Sequence, residues 1–357
     1  MHHLAQGEIP AAYTAYLTRK ALFLGALALA AAALLVMAVS LGAVRIPAWD
    51  VLRTLAGQAA SPRDAVIVLD IRLPHALAAL FAGMGLSASG AAMQSVLRNP
   101  LGSPFTLGIS QAAALGASFA VMVLGSGVMQ SSTVGAVTIS NPLLTTGSAF
   151  VCSLLAAGLV IAMARYRGAS PEVMVLTGVA LGAFCTAGTM VLQFFADDVQ
   201  LAAMVFWTFG DVARAGWREV WILGAVALGS AGFFLANAWN YNAMDAGDET
   251  ARGLGVRVER VRILGMFVSA LATAVVVAAL GVIGFVGLIC PHMVRRIIGD
   301  DHRYLMPASC LMGGALLLAA DTAARLVLAP HALPVSVLTA FIGAPGFIWL
   351  LLRRRRR

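Results

Sequence analysis

Long apolar runs recur along the chain and alternate with short polar segments. Each run is about 20 residues long, which is the length that an α-helix needs to cross the hydrocarbon core of a bilayer. The runs are continuously apolar, whereas the strands of a membrane barrel alternate apolar and polar residues. Because the bilayer core offers no water to backbone groups, a continuous apolar run must form a helix there. The pattern predicts an all-α, polytopic membrane protein.

About ten transmembrane helices fit this pattern. We place them at residues 21–42, 74–95, 104–125, 143–164, 171–195, 219–238, 261–281, 283–298, 305–328 and 334–352. The expected domain organisation is a cytoplasmic segment at 1–20, a transmembrane domain at 21–352 and a basic tail at 353–357. The first run is too long for the apolar core of a cleavable signal peptide, so we expect it to be retained.

Turn chemistry separates several of the runs. The segment 99–104 contains two prolines and cannot continue a helix, which predicts a tight hairpin on the inner side. The segment 170–172 combines a possible N-cap serine, a proline and an early acid, which together start the fifth span. Gly281, Gly284 and Gly287 flank the start of the short eighth span and indicate a bend or a close helix crossing.

Charge follows the sides of the membrane. Only 11% of residues are charged and 60% are hydrophobic, whereas soluble domains carry about 25% charged residues. With the N-terminus inside, 17 of the 24 Lys and Arg residues lie in cytoplasmic segments and 7 lie outside. This bias obeys the positive-inside rule and places both termini in the cytoplasm. The net charge of +8 therefore reflects membrane topology, and we expect no nucleic-acid partner.

Catalytic motifs are missing from the sequence. Lys20 is the only lysine, and it lies outside any Gly-Lys-Ser/Thr phosphate loop, so ATP would be hydrolysed by another chain. Asp197 and Asp198 lack the further acids of a magnesium site. We expect no metal site and no permanently bound cofactor, and we interpret the four cysteines as small buried hydrophobes.

One polar segment, residues 241–260, is long for a linker between packed spans. Asp248 could cap a short helix from Glu249 to Leu254, and Gly255 could end it. Such a helix would lie along the inner membrane surface.

Several stretches together resemble the bacterial permease family that serves iron-siderophores, haem and vitamin B12, the FecCD type. They are Arg72-Leu73-Pro74, Gly90-Ala91-Ala92-Met93-Gln94, Arg98-Asn99-Pro100-Leu101, Gly284-Phe285-Val286-Gly287-Leu288, Asp301-His302-Arg303 and Gly343-Ala344-Pro345-Gly346-Phe347. The resemblance implies the membrane subunit of a type II ABC importer in the bacterial inner membrane. It implies a homodimer with the pathway between the copies, two ABC ATPase subunits below and a periplasmic binding protein above.

The resemblance also implies roles for named residues. The polar segment would enter a groove of the ATPase through Asp248, Glu249, Arg252, Leu254, Gly255 and Val256. Arg72 and Arg325 would receive acidic side chains of the binding protein, and His75 stands where the family usually has a second arginine. The alternative is that these arginines snorkel to the membrane surface.

Asp321 and Arg325 are four residues apart and can pair on one face of a helix. We favour an internal ion pair over a proton relay, because no second intramembrane acid is placed to continue a relay.

The cargo is less strongly indicated. Residues 195–201 and 206–210 look most like the haem-importing branch of the family, with an iron-siderophore or vitamin B12 as alternatives. A haem path should be broad and apolar, and the candidate lining residues are Met190, Phe194, Phe195, Met204, Phe206 and Trp207. Lipid-facing or packing roles are the alternative for each. His75 or His331 could touch haem iron, although solvated or packed histidines are the simpler interpretation, and His292 is expected to pack between helices.

Two other function classes stay open. An ion-coupled secondary transporter should show internal repeats and several intramembrane charges, whereas mainly Asp321 is found here. A membrane enzyme would need a cluster of catalytic acids or histidines, and none is visible in the sequence.

Overall fold

The computed structural model describes residues 11–42, 44–59, 61–128, 138–139, 141–166, 170–328 and 332–352. Within these ranges the protein is helical except for turns and one antiparallel pair of two-residue strands, β1 (Gly127–Val128) and β2 (Thr138–Ile139). The predicted all-α fold class is therefore confirmed.

Ten of the α-helices in the described ranges follow the predicted apolar runs, and the other five are shorter segments between them. They are α1 (Ala11–Ser40), α2 (Ala48–Leu55), α3 (Pro62–Ala65), α4 (Leu73–Val96), α5 (Ile109–Met122), α6 (Pro142–Tyr166), α7 (Pro171–Phe195), α8 (Asp198–Thr208), α9 (Trp217–Ala236), α10 (Ala238–Asp245), α11 (Asp248–Gly253), α12 (Val258–Leu280), α13 (Val286–Ile298), α14 (His302–Val327) and α15 (Val335–Leu352). A π-helical segment, Val66–Arg72, joins α3 to α4, and a 3-10 turn, Val212–Arg214, precedes α9.

Each of the ten predicted spans falls on a helix, but not every one is long enough to cross a membrane alone. In the described ranges seven helical stretches have the necessary length and hydropathy, namely α1, the continuous stretch Pro62–Val96, α6, α7, α9, α12 and α14. The helices α5 and α15 are apolar but shorter. The 13 residues of α13 rise only about 20 Å, less than the roughly 30 Å of the hydrocarbon core. The count of ten spans is thus approximate.

The helix α4 lies at the centre of the subunit and packs against α9, α12, α13 and α14. Two glycine contacts bring its backbone against neighbouring backbones. A Cβ added at Gly83 would lie 2.2 Å from the carbonyl oxygen of Gly313, and one added at Gly90 would lie 1.7 Å from that of Gly287. Only glycine fits such crossings, which is how membrane helices commonly approach closely. The crossing at Gly287 is the one that the sequence predicted.

The helical conformation is interrupted between α12 and α13. Gly281 has φ of 81° and Phe285 has φ of 66°, so the helix ends on a glycine that tolerates the left-handed region. The backbone N–H of Asp211 donates to the carbonyl oxygen of Leu280 at 2.7 Å. An open carbonyl at the helix end is thereby satisfied by a neighbouring segment, as a membrane environment requires.

Candidate functional site

The polar segment forms a short projecting helix. The helix α11 has Gly247 at its N-cap, with φ of 117°, and Leu254 at its C-cap. The prediction that Asp248 caps this helix is wrong, because Asp248 is its first residue and its side chain makes no cap hydrogen bond. Gly247 supplies the sharp turn, and this turn directs the carboxylate of Asp248 towards α12 instead.

The solvent-exposed face of α11 combines charged side chains with one apolar side chain at its end. Glu249, Arg252 and Gly255 are exposed, and Leu254 is 70% exposed. Ala251 on the opposite face is fully buried. We call the stretch 248–256 the knob. An exposed leucine on a short, supported helix is the kind of apolar anchor that a groove on a partner protein can accept.

A buried arginine supports the knob from inside. Arg262, at the start of α12, is 2% exposed, and its Nη2 lies 2.9 Å from both carboxylate oxygens of Asp248. Its Nε donates to the carbonyl oxygen of Val96 at the end of α4, also at 2.9 Å. A buried guanidinium needs both a charge partner and further hydrogen-bond acceptors, and this site supplies them.

A buried histidine forms a second support. Nε2 of His302 lies 2.8 Å from Oγ of Ser95 in α4 and 2.9 Å from Oδ2 of Asp245 at the end of α10. Nη2 of Arg295 donates to the same serine hydroxyl at 3.2 Å. Burial alone would raise the pKa of the Asp245 carboxyl, but hydrogen bonding to His302 and the nearby charges hold that pKa below its ordinary value. Asp245 is therefore a carboxylate at neutral pH.

A neighbouring pair fixes the start of α14. Asp301 caps this helix by accepting from the backbone N–H of Arg303, and it also pairs with the Arg303 guanidinium at 2.7 Å. Asn242 of α10 donates to Asp301 at 3.0 Å. Burial opposes ionisation of Asp301, but these hydrogen bonds lower its pKa to about 2.

The sequence reasoning assigned no role to Arg262 or His302. A signal existed for both, because Asp301-His302-Arg303 was part of the family resemblance and Arg262 is a charge at the start of an apolar run. Charges in such positions are costly unless they have partners inside the protein. The partners lie far away in sequence, so they could not be named without the fold.

Arg72 directly precedes α4, His75 lies in the first turn of α4, and Arg325 lies in the last turn of α14. Arg72 is buried, and its Nη1 donates to the carbonyl oxygens of Val39 at 2.8 Å and Ser40 at 3.1 Å. It therefore satisfies open carbonyls at the C-terminal end of α1. His75 is half-buried. In this structure Arg72 serves the subunit itself, and its docking role stays a prediction.

Asp321 and Arg325 form an ion pair inside the subunit. Nε of Arg325 lies 3.1 Å from Oδ2 of Asp321, whose side chain is 9% exposed. Arg325 also reaches the carbonyl oxygen of Ala38 at 3.4 Å. Like Arg72, Arg325 donates to a carbonyl oxygen near the end of α1, while its side chain keeps 22% exposure.

The six proposed pathway residues divide into two groups. Four are exposed on α7 and α8, and they are Met190, Phe194, Phe195 and Phe206, with exposures from 61% to 81%. Met204 and Trp207 are only 1% and 3% exposed and pack inside the subunit. Both side chains lie on the face of α8 that packs against the rest of the subunit, so they hold this helix in place and do not line an open surface.

The other candidate side chains have simple surroundings. His292 packs its ring against Phe347, with centroids 5.7 Å apart, in line with the predicted packing role. All four cysteines are free, and Cys185, Cys290 and Cys310 are buried. The candidate haem contact His331 lies outside the described residues.

Comparison with known proteins identifies the family. The pattern of the FecCD transport family matches residues 29–353. The chain belongs to the FecCD transport family. A protein of Methanocaldococcus jannaschii named as an ABC transporter permease, MJ0087, is 47% identical over 98% of this chain and 99% of its own length.

Other FecCD relatives carry different cargo names. The hemin transport permease HmuU of Yersinia pestis is 37% identical over 83% of this chain and 87% of its own. The vitamin B12 import permease BtuC of Escherichia coli is 36% identical over 83% of this chain and 86% of its own. A solved structure described as an inward-facing metal-chelate type ABC transporter has a TM-score of 0.80 at 28% identity, covering 92% of this chain and 98% of that one.

The chain is thus an ABC transporter permease subunit and not an enzyme. Membership of the FecCD family also implies that it works in a membrane with ATPase and substrate-binding subunits.

Proposed function

We propose that this permease is the membrane subunit of a type II importer that carries haem across the bacterial inner membrane. Two copies of the chain enclose the pathway, a periplasmic binding protein delivers haem from outside, and two separate ATPase chains power transport from the cytoplasm. Both termini lie in the cytoplasm, as the bias of positive charge towards the inner segments supports.

The knob is the observation that carries this proposal. Leu254 projects at 70% exposure from a helix of only six residues, and the salt bridge between Asp248 and Arg262 holds that helix on the membrane domain. Such a helix has little stability alone, so its fixed position depends on the buried arginine. A rigid, exposed hook on the inner side suits a membrane domain that is moved by a motor on another chain.

Haem is supported by the chemistry of α7. This helix contains one charged residue, Glu172, in its first turn. Beyond it the exposed side chains are apolar or aromatic except for Thr186, whose hydroxyl donates to the carbonyl oxygen of Gly182 in the same helix at 2.8 Å. The apolar ones include Leu176 at 73%, Phe184 at 72% and Phe194 at 81%. An apolar wall with adaptable aromatic rings fits a flat, largely apolar macrocycle better than a compact chelate with high charge. The named relatives that carry hemin and vitamin B12, both metal macrocycles, agree with this class of cargo.

A reconstituted complex tests the cargo. The permease is placed in proteoliposomes with its ATPase, and a binding protein is added loaded with hemin, ferric citrate or cobalamin. We expect hemin-loaded protein to stimulate ATP hydrolysis and hemin uptake most strongly. Stronger stimulation by either of the other ligands would contradict the haem assignment. Uptake driven by a proton gradient in vesicles that lack the ATPase would favour a secondary transporter instead.

A pair of matched variants tests the pathway surface. Phe194→Ser on α7 should reduce hemin uptake, because it removes an aromatic surface from the proposed wall. Leu155→Ser on α6, where the side chain is 68% exposed, should leave uptake near wild type if α6 faces lipid. Equal effects of the two changes would count against α7 as a pathway wall.

A further inference from the structure

Two polar bridges, each with a buried side chain at its centre, start at the coupling segment and end at the same turn of α4. One runs from Asp248 through Arg262 to the carbonyl oxygen of Val96. The other runs from Asp245 through His302 to the hydroxyl of Ser95. Ser95 and Val96 are the last two residues of α4. Residues from α10, α11, α12 and α14 are thus joined to one helix end.

From this convergence we propose that Arg262 and His302 are positioning residues that transmit displacement of the knob to α4. The proposal rests on the proposed function, because it requires an ATPase that moves the knob. The energetic connection would travel through polar side chains held in fixed geometry by hydrogen bonds, which is a physical route by which distant sites are coupled.

Burial makes both bridges stiff. Arg262 is 2% exposed and His302 is fully buried, so water cannot readily replace the partners of either side chain. Arg262 holds both oxygens of Asp248 through one nitrogen while a second nitrogen holds α4. A lateral pull on α11 therefore has to move the end of α4 or break a buried charged contact.

The position of α4 determines where the movement goes next. Its backbone contacts the backbone of α13 at Gly90 and that of α14 at Gly83. No flexible side chain lies between the helices at these points, so a displacement of α4 displaces its neighbours as well. At the other end Arg72 precedes α4 and holds carbonyl oxygens of α1. The helix α4 therefore connects the knob to Arg72 and Arg325 at its other end. Both arginines donate to carbonyl oxygens at the C-terminal end of α1.

The test is the coupling ratio, meaning cargo moved per ATP hydrolysed, in proteoliposomes that contain the full complex. Arg262→Lys keeps the charge but loses the guanidinium fork that reaches Asp248 and Val96 together. His302→Gln loses the ring that bridges Asp245 and Ser95. We expect either change to lower the coupling ratio about two- to thirtyfold, the range found when residues within a coupling network are altered. Both variants are compared with wild type at equal amounts of assembled complex, because the two side chains also support the knob that binds the ATPase.

Arg260→Lys is the matched control, because Arg260 is exposed on the same turn of α12 as Arg262. It should leave the coupling ratio unchanged. A wild-type ratio in both Arg262→Lys and His302→Gln would overturn the proposal.

Two outcomes need separate interpretation. If His302→Gln does not assemble, Ser95→Ala removes only the hydroxyl on the α4 side of that bridge, and an unchanged ratio in this variant would overturn the His302 branch. If the wild-type complex shows no ATP-dependent uptake at all, the proposed function fails, whereas wild-type coupling with insensitive variants refutes this inference alone.

Discussion

The glycine contact between α4 and α13 gives a prediction whose size follows from the structure. In Gly90→Ala the new Cβ would lie 1.7 Å from the carbonyl oxygen of Gly287. Ordinary contact begins near 3.4 Å, so the two helices must separate by about 1.7 Å, and both atoms belong to rigid helical segments that cannot turn away. Overpacking with flexible neighbours typically costs about 1–3 kcal/mol. We expect Gly90→Ala to reach or exceed the upper end of that range.

Thermal denaturation of the purified permease in detergent measures this cost. Gly158→Ala is the control, since a Cβ at Gly158 in α6 meets nothing within 4 Å. Gly90→Ala should melt well below wild type, and Gly83→Ala should also be destabilised because its Cβ meets Gly313 at 2.2 Å. Gly158→Ala should melt close to wild type. If Gly90→Ala and Gly158→Ala melted alike, the close crossing at Gly287 would not exist in the protein.

Three further predictions concern charge and coupling. Arg325→Met should destabilise the subunit by about 3–5 kcal/mol, because it leaves the buried Asp321 carboxylate without its partner, and adding Asp321→Asn should restore part of the loss. At neutral pH Asp301→Asn should be less stable than wild type, because the ionised Asp301 carboxylate stabilises the folded state. This stabilisation is full above the ordinary aspartate pKa of 3.8 and is lost as the pH falls towards the folded-state pKa of about 2. Leu254→Ser should weaken binding of the ATPase subunit without lowering the melting temperature, because the side chain is 70% exposed.

Each of these has a measurement that can contradict it. Additive effects of Arg325→Met and Asp321→Asn on the melting temperature would mean that the two side chains do not interact. For Asp301 the stability difference between wild type and Asp301→Asn should stay constant above about pH 5 and shrink below about pH 4, and a difference that grew on acidification would have the wrong sign. For Leu254→Ser, unchanged co-purification of the ATPase would show that the Leu254 side chain is not part of the interface.

The apolar pattern determines most of this fold in advance. Continuous runs can only be helices in lipid, and prolines and glycines end them where the structure has turns, as at residues 99–104 and Gly281. Helix lengths were less predictable. The helix α13 is short because Gly281 and Phe285 adopt positive φ angles that interrupt the helix before it. The helix α1 begins at Ala11, before its predicted start at residue 21. A hydropathy pattern records apolar content and not where backbone hydrogen bonding starts.

The candidate site was predictable in part. The knob follows from its polar composition, because a charged segment between apolar runs has to lie at the membrane surface. Its internal support was not predictable, because Asp248 and Arg262, which are 14 residues apart, meet only after α11 turns back on α12. Met204 and Trp207 show the same limit. Their apolar character is compatible with a pathway or a core, and only packing shows that they are buried.

The central claim is that this permease moves cargo only when an ATPase on another chain drives its knob. The most direct test is hemin uptake into proteoliposomes that contain the permease with either an active ATPase or an ATPase variant that binds but does not hydrolyse ATP. The account predicts sustained uptake with the active ATPase and none beyond binding with the inactive one. Equal accumulation of hemin in both preparations would contradict it.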